Sequence, residues 1–302
     1  MTAGRTVVFG GTGFLGRAIV RAMAARGDAV RVAARRPDAA DVPPGVELQR
    51  ADIQDDDAVA AAVADADTVV NAVSLYVEGG GLDFDGIHVE GATRLARLAH
   101  RAGVERFIHV SGIGVTGQSP SRYVRARARG EMGVNDAFPG ATILHPSVLF
   151  GPHDSFLATL DDVTRLPIVP LFGHGETRLQ PVHVEDVAAA VAGAAHTAEA
   201  TGRVFELGGG EVLRYREIVR AVLSHRRRWR PLLPVPWSAW RGIAHVGKIL
   251  SNPPLTIDQV LLMQADNIVS AEMATFADLG IEPRGLRASL SACLPGQGTS
   301  DL

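Results

Sequence analysis

Val7-Val8-Phe9-Gly10-Gly11-Thr12-Gly13-Phe14-Leu15-Gly16 is the stretch on which the fold of this 302-residue chain turns. An apolar run ends at Phe9, glycines recur at 10, 13 and 16, and an amphipathic segment from about Phe14 to Arg26 reads as a helix. Glycine suits such a turn because the chain must bend tightly, the backbone must come within contact distance of a pyrophosphate, and the helix must pack closely on its strand. The helix then aims its unpaired N–H groups and the positive end of its dipole at the phosphates. Strand, turn and helix in this order make a dinucleotide site, with Gly10, Thr12, Gly13, Phe14, Leu15 and Gly16 as its candidate residues.

The second strand bears on which dinucleotide is held. Ala29-Val30-Arg31-Val32-Ala33-Ala34 reads as a strand and runs into Arg35-Arg36-Pro37. An acidic residue about twenty positions after the glycine turn binds the ribose hydroxyls of NAD, whereas here two arginines follow alanine. A guanidinium donates paired hydrogen bonds to a phosphate and keeps its charge, so NADP(H) is expected over NAD(H). Arg35 and Arg36 also suit an ordinary solvated surface. Val46 to Ile53 forms a short strand ending in Asp52-Ile53, which is placed either to meet an adenine ring or, through Asp52, to cap a helix beginning near Gln54.

Composition narrows the function classes. A net charge of −3 disfavours a general nucleic-acid binder, and 46% hydrophobic with 21% charged residues is ordinary for a globular protein. The one cysteine, Cys293, rules out an internal disulfide and points to a reducing compartment. No apolar run reaches the roughly 18 residues of a spanning helix, and the first strand begins too early for a signal peptide. A cytoplasmic protein is expected, at most peripheral on the inner face of a membrane. The ten histidines show no metal-ligand spacing, and no Gly-x-Ser-x-Gly elbow is present.

Strands and helices go on alternating: a helix over 55–65, a strand over 68–73, a helix over 86–102 with Ile87, Leu95 and Leu98 inward, a strand over 106–110, a helix from about Ser121 to Phe138, and a strand over 141–144. This predicts an α/β doubly wound parallel sheet. A Rossmann-like domain over 1–150 is expected. The remainder, 151–302, gives 178–208 back to that core and forms a small, mostly helical C-terminal subdomain with the rest. Ligands bind beyond the carboxyl ends of such strands, so Val73, Ser74, Ser111, Gly112, His145, Pro146, Ser147 and Val148 are expected to line one crevice with the glycine turn.

The chain resembles the atypical or extended short-chain dehydrogenase/reductases, and among them most the nucleotide-binding accessory subunit of respiratory complex I and its bacterial relatives. The resemblance rests on the glycine turn, Ser121-Arg122-Tyr123 with Gly130-Glu131, Asp136-Ala137-Phe138-Pro139, Pro146-Ser147 with Phe150-Gly151, Gln180 to Val187, Leu233-Pro234-Val235-Pro236 and Asp278-Leu279-Gly280-Ile281. It implies a tightly held NADPH and a structural or assembly role. Reductases of this superfamily use Tyr-x-x-x-Lys, in which the lysine lowers the tyrosine pKa and holds the nicotinamide ribose. Here Tyr123 is followed by Arg127, which keeps the charge but cannot pass on a proton. Ser111 falls one residue before the place of the usual active-site hydroxyl. Tyr123, Arg127 and Ser111 are therefore candidates both for catalysis and for holding the cofactor, and the backbone from Pro146 to Val148 for meeting the carboxamide. His183 reads as structural, with Glu185 or Asp186 helping the next helix to start.

Between Glu217 and Asp258 there is no acidic residue, while Arg220, Arg226, Arg227, Arg228, Arg230, Arg241 and Lys248 fall inside, together with all three tryptophans, Trp229, Trp237 and Trp240. Such a segment suits an anionic membrane surface or an acidic partner, with 220–250 as the docking region. It equally suits a solvated helix whose tryptophans lie in the core. By the resemblance, the partner is a respiratory complex. Two alternatives remain at this level: a reductase or isomerase of a small or lipid-like substrate, and a module that senses the NADP(H) ratio.

Overall fold

The computed structural model describes residues 4–37, 42–247 and 255–295. The chain forms two compact units. The first takes residues up to Pro146, then Val184–Leu207 and Ala271–Ile281; the second takes Ser147–His183, Gly208–Ser270 and residues from Glu282 onward. The chain thus changes unit at Pro146 rather than at 150, and residues 178–183 stay in the second unit. Ala271–Ile281 joins the first at a sheet edge, where the Glu206 N–H donates to the Ala274 carbonyl at 2.8 Å.

In the first unit β1 (Arg5–Phe9), β2 (Ala29–Ala34), β3 (Glu47–Arg50), β4 (Thr68–Asn71), β5 (Arg106–Val110), β6 (Thr142–Pro146) and an edge strand, Val204–Leu207, form a seven-stranded parallel sheet. The order is β3-β2-β1-β4-β5-β6-edge, so the winding reverses between β1 and β4. Both faces are covered, which is why Val7-Val8-Phe9 is apolar without alternation. Val7, Phe9, Ala33, Val69, Phe107 and Ile143 pack with residues of α2 (Asp56–Val63) and α3 (Ala92–Arg101), among them Val59 and Leu95. α1 (Phe14–Ala25) packs against the helix Val184–His196, and Arg21 pairs with Glu185 at 2.7 Å.

Two local expectations are corrected. The Asp55 carboxylate caps α2 by accepting the N–H groups of Asp57 and Ala58, while Asp52 accepts only the Gln54 N–H, so Asp52 is not the cap. The helix expected over 86–102 starts as a π-helical segment, Asp85–Gly91, before α3. The wider winding accompanies a very close approach by α4 (Arg122–Ala137). A Cβ on Gly130 would lie 1.9 Å from the His88 carbonyl oxygen, and one on Gly133 would lie 2.1 Å from Thr93 Oγ1.

Helices carry most of the regular structure of the second unit among the described residues, but short strands the sequence did not announce accompany them. Beside the helices Ser155–Val163, Tyr215–His225, Trp237–Gly247, Ile257–Leu262 and Leu286–Cys293 it carries three two-stranded sheets among the described residues. These pair Leu149–Phe150 with Val182–His183, Arg178–Leu179 with Leu213–Arg214, and Val169–Phe172 with Leu232–Val235. Most of these strands have two residues, too few to show a period. The basic run is also partly neutralised, because Asp161 takes Arg226 at 2.9 Å and Arg228 at 2.8 Å. Lys248 lies outside the described residues. Trp237 and Trp240 pack on Phe172, at 6.1 Å and 4.5 Å between ring centroids, whereas Trp229 is 83% exposed.

The close approach at Gly130 sets a test. Gly130→Ala forces α4 away from the π-helical segment and should cost about 1–3 kcal/mol in urea unfolding, whereas Gly117→Ala, with nothing within 4 Å of the added Cβ, should fall within about 0.5 kcal/mol of the parent. Equal effects of the two would contradict this packing.

Candidate functional site: a dinucleotide cradle beside a buried arginine

The glycine turn sits at the point where the sheet reverses. Gly10 has φ +79°, and its Cβ would lie 2.8 Å from the Ala72 carbonyl carbon and 2.9 Å from the Val73 nitrogen, so the ends of β1 and β4 meet there. A Cβ on Gly16 would lie 2.0 Å from the Gly10 carbonyl oxygen, which leaves no room for a side chain where α1 crosses the turn. Gly13 is the exposed N-cap of α1, has no capping side chain, and no acidic residue follows in the first turn. The opening N–H groups of α1 are therefore free of side-chain caps, and Gly13 adds no side chain in front of them. Those donors and the helix dipole fit a pyrophosphate.

At the end of β2, Arg35 and Arg36 are exposed and form no ion pair among the described residues. Asp52 is half-buried at the end of β3, with Ala34 and Arg50 paired in register beside it. Ile53 is buried in the core, where a Cβ on Gly91 would touch it at 3.0 Å. Val73 is half-buried, and its N–H donates to Asn71 Oδ1 at 3.2 Å. At the end of β6, the Pro146 carbonyl accepts the Ile113 N–H at 3.2 Å, which brings the β5 and β6 ends together. Ser147 and Val148 belong to the second unit. There the Ser147 hydroxyl donates to Asn267 Oδ1 at 2.6 Å, and the Val148 N–H reaches the same oxygen at 3.2 Å. His183, also in that unit, packs edge-on against Phe150 at 5.2 Å.

Ser121 caps α4 by accepting the Val124 N–H, which sets Tyr123 and Arg127 one turn apart on the buried face. All three nitrogens of the Arg127 guanidinium are engaged. Nη1 donates to the Tyr123 hydroxyl at 2.8 Å and to Ser74 Oγ at 3.1 Å, Nη2 to the Val110 carbonyl at 3.0 Å, and Nε approaches Ser111 Oγ at 3.5 Å. Ser111 in turn hydrogen-bonds to Glu131, whose carboxylate also pairs with His145 Nε2 at 3.0 Å. Burial works against the Glu131 charge, but the bonds from His145 and Ser111 outweigh it and hold the carboxyl below its usual range. Burial pushes the Tyr123 phenol up to about 12 despite the arginine beside it. A hydroxyl so far from neutral pH is a poor proton-transfer group.

Sequence reasoning missed two histidines that complete this cluster. The π-helical segment carries His88 inward, edge-on to Tyr123 at 5.4 Å, with Nε2 2.9 Å from the Leu75 carbonyl oxygen. His109 on β5 lies 3.2 Å from Asn71 through Nδ1. Burial, with Arg127 nearby, lowers the His88 pKa to about 4 and that of His109 to about 3. His109 sits in a strand otherwise read as core, and nothing in the local pattern marks it. Among the described residues no group of three metal-ligand side chains converges. Two open concavities of about 490 Å³ lie on the second unit around Arg220 and Ser224, and neither contains a residue of the glycine turn.

The cradle, the reversal of winding between β1 and β4 and the Tyr123–Arg127 pair define an NAD(P)-binding Rossmann protein of the atypical short-chain dehydrogenase/reductase kind. A model of NAD(P)H-binding domains matches residues 10–139. Arabidopsis thaliana NADH dehydrogenase (ubiquinone) 1 alpha subcomplex subunit 9, a mitochondrial protein, is 32% identical over 93% of this chain and 74% of its own length. The Rattus norvegicus protein of the same name is 30% identical over 92% and 76%. The chain belongs to the family of this complex I subunit. In structure it is similar to the NADPH-dependent quinone oxidoreductase QOR2 of Escherichia coli, solved with NADPH, with a TM-score of 0.76, 18% identity and coverage of 95% of this chain and 98% of that one. That likeness establishes the fold alone.

The lowered histidine values fix a pH dependence. A histidine in the unfolded chain titrates near 6.5, so below that pH the unfolded state takes up protons that the fold excludes. The stability held above pH 6.5 is lost as the pH falls toward 4, by up to about 1.4 kcal/mol per pH unit for each of His88 and His109. Urea midpoints at about pH 7.5 and about pH 5 should show the loss, and His109→Gln should flatten it. An unchanged slope in that variant would contradict the buried neutral histidine.

Proposed function

We propose that this chain holds NADP(H) as a fixed structural or regulatory ligand and serves as an accessory component of a respiratory complex, without turning over a substrate. The observation that carries this reading is the Arg127 guanidinium, whose three nitrogens are all engaged by Tyr123, Ser74, Ser111 and the Val110 carbonyl. The lysine it replaces would leave a mobile ammonium able to exchange protons and hold a ribose. Here the cation is a structural post, and the phenol it contacts is buried and hard to ionise. Family membership supports a partner of the complex I type.

In this reading the pyrophosphate lies on the N–H groups at Phe14 to Gly16, the Gly13 N–H being used by the Gly10 carbonyl at 2.9 Å. Asp52 and Ile53 border the adenine, and Arg35 and Arg36 grip the ribose phosphate. The nucleotide, when bound, supplies the redox-active nicotinamide; the residues of this chain bind and orient it near Val73, Ser74 and Pro146. For docking, the second unit offers an exposed apolar set. Leu233 pairs in register with Pro170, exposed Ile168 immediately precedes that strand, and Ile243 and Val246 are exposed one turn apart on the helix Trp237–Gly247. An anionic membrane surface is the other occupant compatible with Arg220, Arg227, Arg230 and Arg241, which form no ion pair among the described residues.

Calorimetry of NADP+ and NAD+ tests the cofactor reading. Arg35→Ser with Arg36→Ser should weaken NADP+ roughly 10- to 100-fold, the range of charged hydrogen bonds to a phosphate, and leave NAD+ within about twofold. Equal loss for both nucleotides would place the arginines elsewhere. Substrate-dependent oxidation of NADPH by the parent protein would overturn the fixed-ligand reading.

A further inference from the structure

One aromatic ring in the first unit is held rigidly while remaining open to water. Tyr76, on the loop after β4, is 58% exposed, yet its ring stacks on buried Tyr123 at 5.6 Å between centroids and 27° between planes. The loop is tied down on both sides of it. Before Tyr76, His88 Nε2 lies 2.9 Å from the Leu75 carbonyl oxygen and 3.3 Å from the Leu75 nitrogen. After it, Glu78 pairs with Arg122 at 3.0 Å and accepts the Phe84 N–H at 3.1 Å, while Gly79 and Leu82 exchange two backbone bonds of 3.0 Å. Tyr123 stacks on the ring, which nevertheless stays exposed, as does the neighbouring Val77. An aromatic surface fixed in this way loses little freedom when a second ring stacks on it.

A polar group completes the feature. Ser74 is exposed two residues earlier, and its hydroxyl accepts from the charged Arg127 Nη1 at 3.1 Å. A hydroxyl that accepts from a guanidinium is polarised and becomes a stronger donor itself. Ser74 and Tyr76 both lean on the Tyr123 side chain, the serine toward its hydroxyl and the tyrosine on its ring.

We propose that Tyr76 and Ser74 form a subsite for a flat conjugated ring bearing a carbonyl oxygen. The ring lies on the outer face of Tyr76, and the carbonyl accepts from the Ser74 hydroxyl. This deepens the NADP(H) reading and rests on it in one respect: Ser74, placed beside the nicotinamide there, also serves the ring on Tyr76, and the nucleotide leaves Tyr76 itself free. Tyr76 is exposed and meets the Arg127 cluster through the face of the Tyr123 ring, so replacing it should spare the fold.

The probe is menadione, a flat bicyclic diketone, titrated calorimetrically into the full chain saturated with NADP+, an oxidised state in which no hydride is available. The parent should bind it, Tyr76→Ala should weaken it about tenfold, and Tyr76→Phe should stay within about twofold. Methylnaphthalene, the same bicycle without carbonyls, should bind the parent several-fold more weakly than menadione, and NADP+ affinity should be equal in the parent and Tyr76→Ala. Absence of menadione binding, equal menadione affinity in Tyr76→Ala, or equal affinity for methylnaphthalene would overturn the subsite. A fall in NADP+ affinity in Tyr76→Ala would also overturn it, by assigning the shelf to the nicotinamide ring. Failure of the parent to bind NADP+ would instead strike the earlier reading. Menadione titrated into nucleotide-free protein then decides the subsite by the same dependence on Tyr76.

Discussion

Gly16 has no space for even a methyl group, because its Cβ position lies 2.0 Å from the Gly10 carbonyl oxygen, and this contact fixes how α1 leaves β1. With α1 held so close, its first N–H groups are brought to the carboxyl edge of the sheet at the place where the strand order reverses. The left-handed Gly10 and the end of β4 then share one small volume, and the exposed N-cap Gly13 leaves the approach to it open. The anion-binding character of the first unit follows from these backbone distances before any side chain is considered. A larger residue at either glycine would move the helix and lose the cradle with it.

Arg127 plays the matching part among the side chains. Its charge is buried, and a buried cation is tolerated only where every neighbour answers it. The Tyr123, Ser74 and Ser111 hydroxyls and the Val110 carbonyl meet its nitrogens, and Ser111 passes the interaction on to Glu131 and His145. The charge also bears on its surroundings, since together with burial it keeps His88 and His109 neutral. A cluster tied together in this way gives rigidity to the ends of β4 and β5. Proton exchange with a substrate is correspondingly hindered, because the phenol that would perform it is buried and accepts from a cation that does not give up its proton.

Much of this was legible in the residues. Val7 to Gly16 announces the first crossover, Ala29–Ala34 and Arg106–Val110 occur where the apolar runs place them, and Arg127 stands out as a departure at a known spacing. What escaped depended on contacts between distant residues. Asp161 neutralises Arg226 and Arg228 from 65 and 67 positions away, so a segment without acids looked more basic than it is. The π-helical segment needs the glycine face of α4 against it, which a local helical pattern cannot reveal. The role of His88 depends on that turn. The two-residue strands of the second unit are too short to carry an alternation, and Asp52 suits a cap until the backbone shows that Asp55 faces the free N–H groups.

The central claim is that an adenine dinucleotide phosphate occupies the glycine cradle as a lasting component of the protein. Native mass spectrometry of gently purified, extensively dialysed protein measures this directly. The account predicts one retained NADP(H) per chain, released only on unfolding. A bare polypeptide mass that added NADPH fails to shift would contradict it.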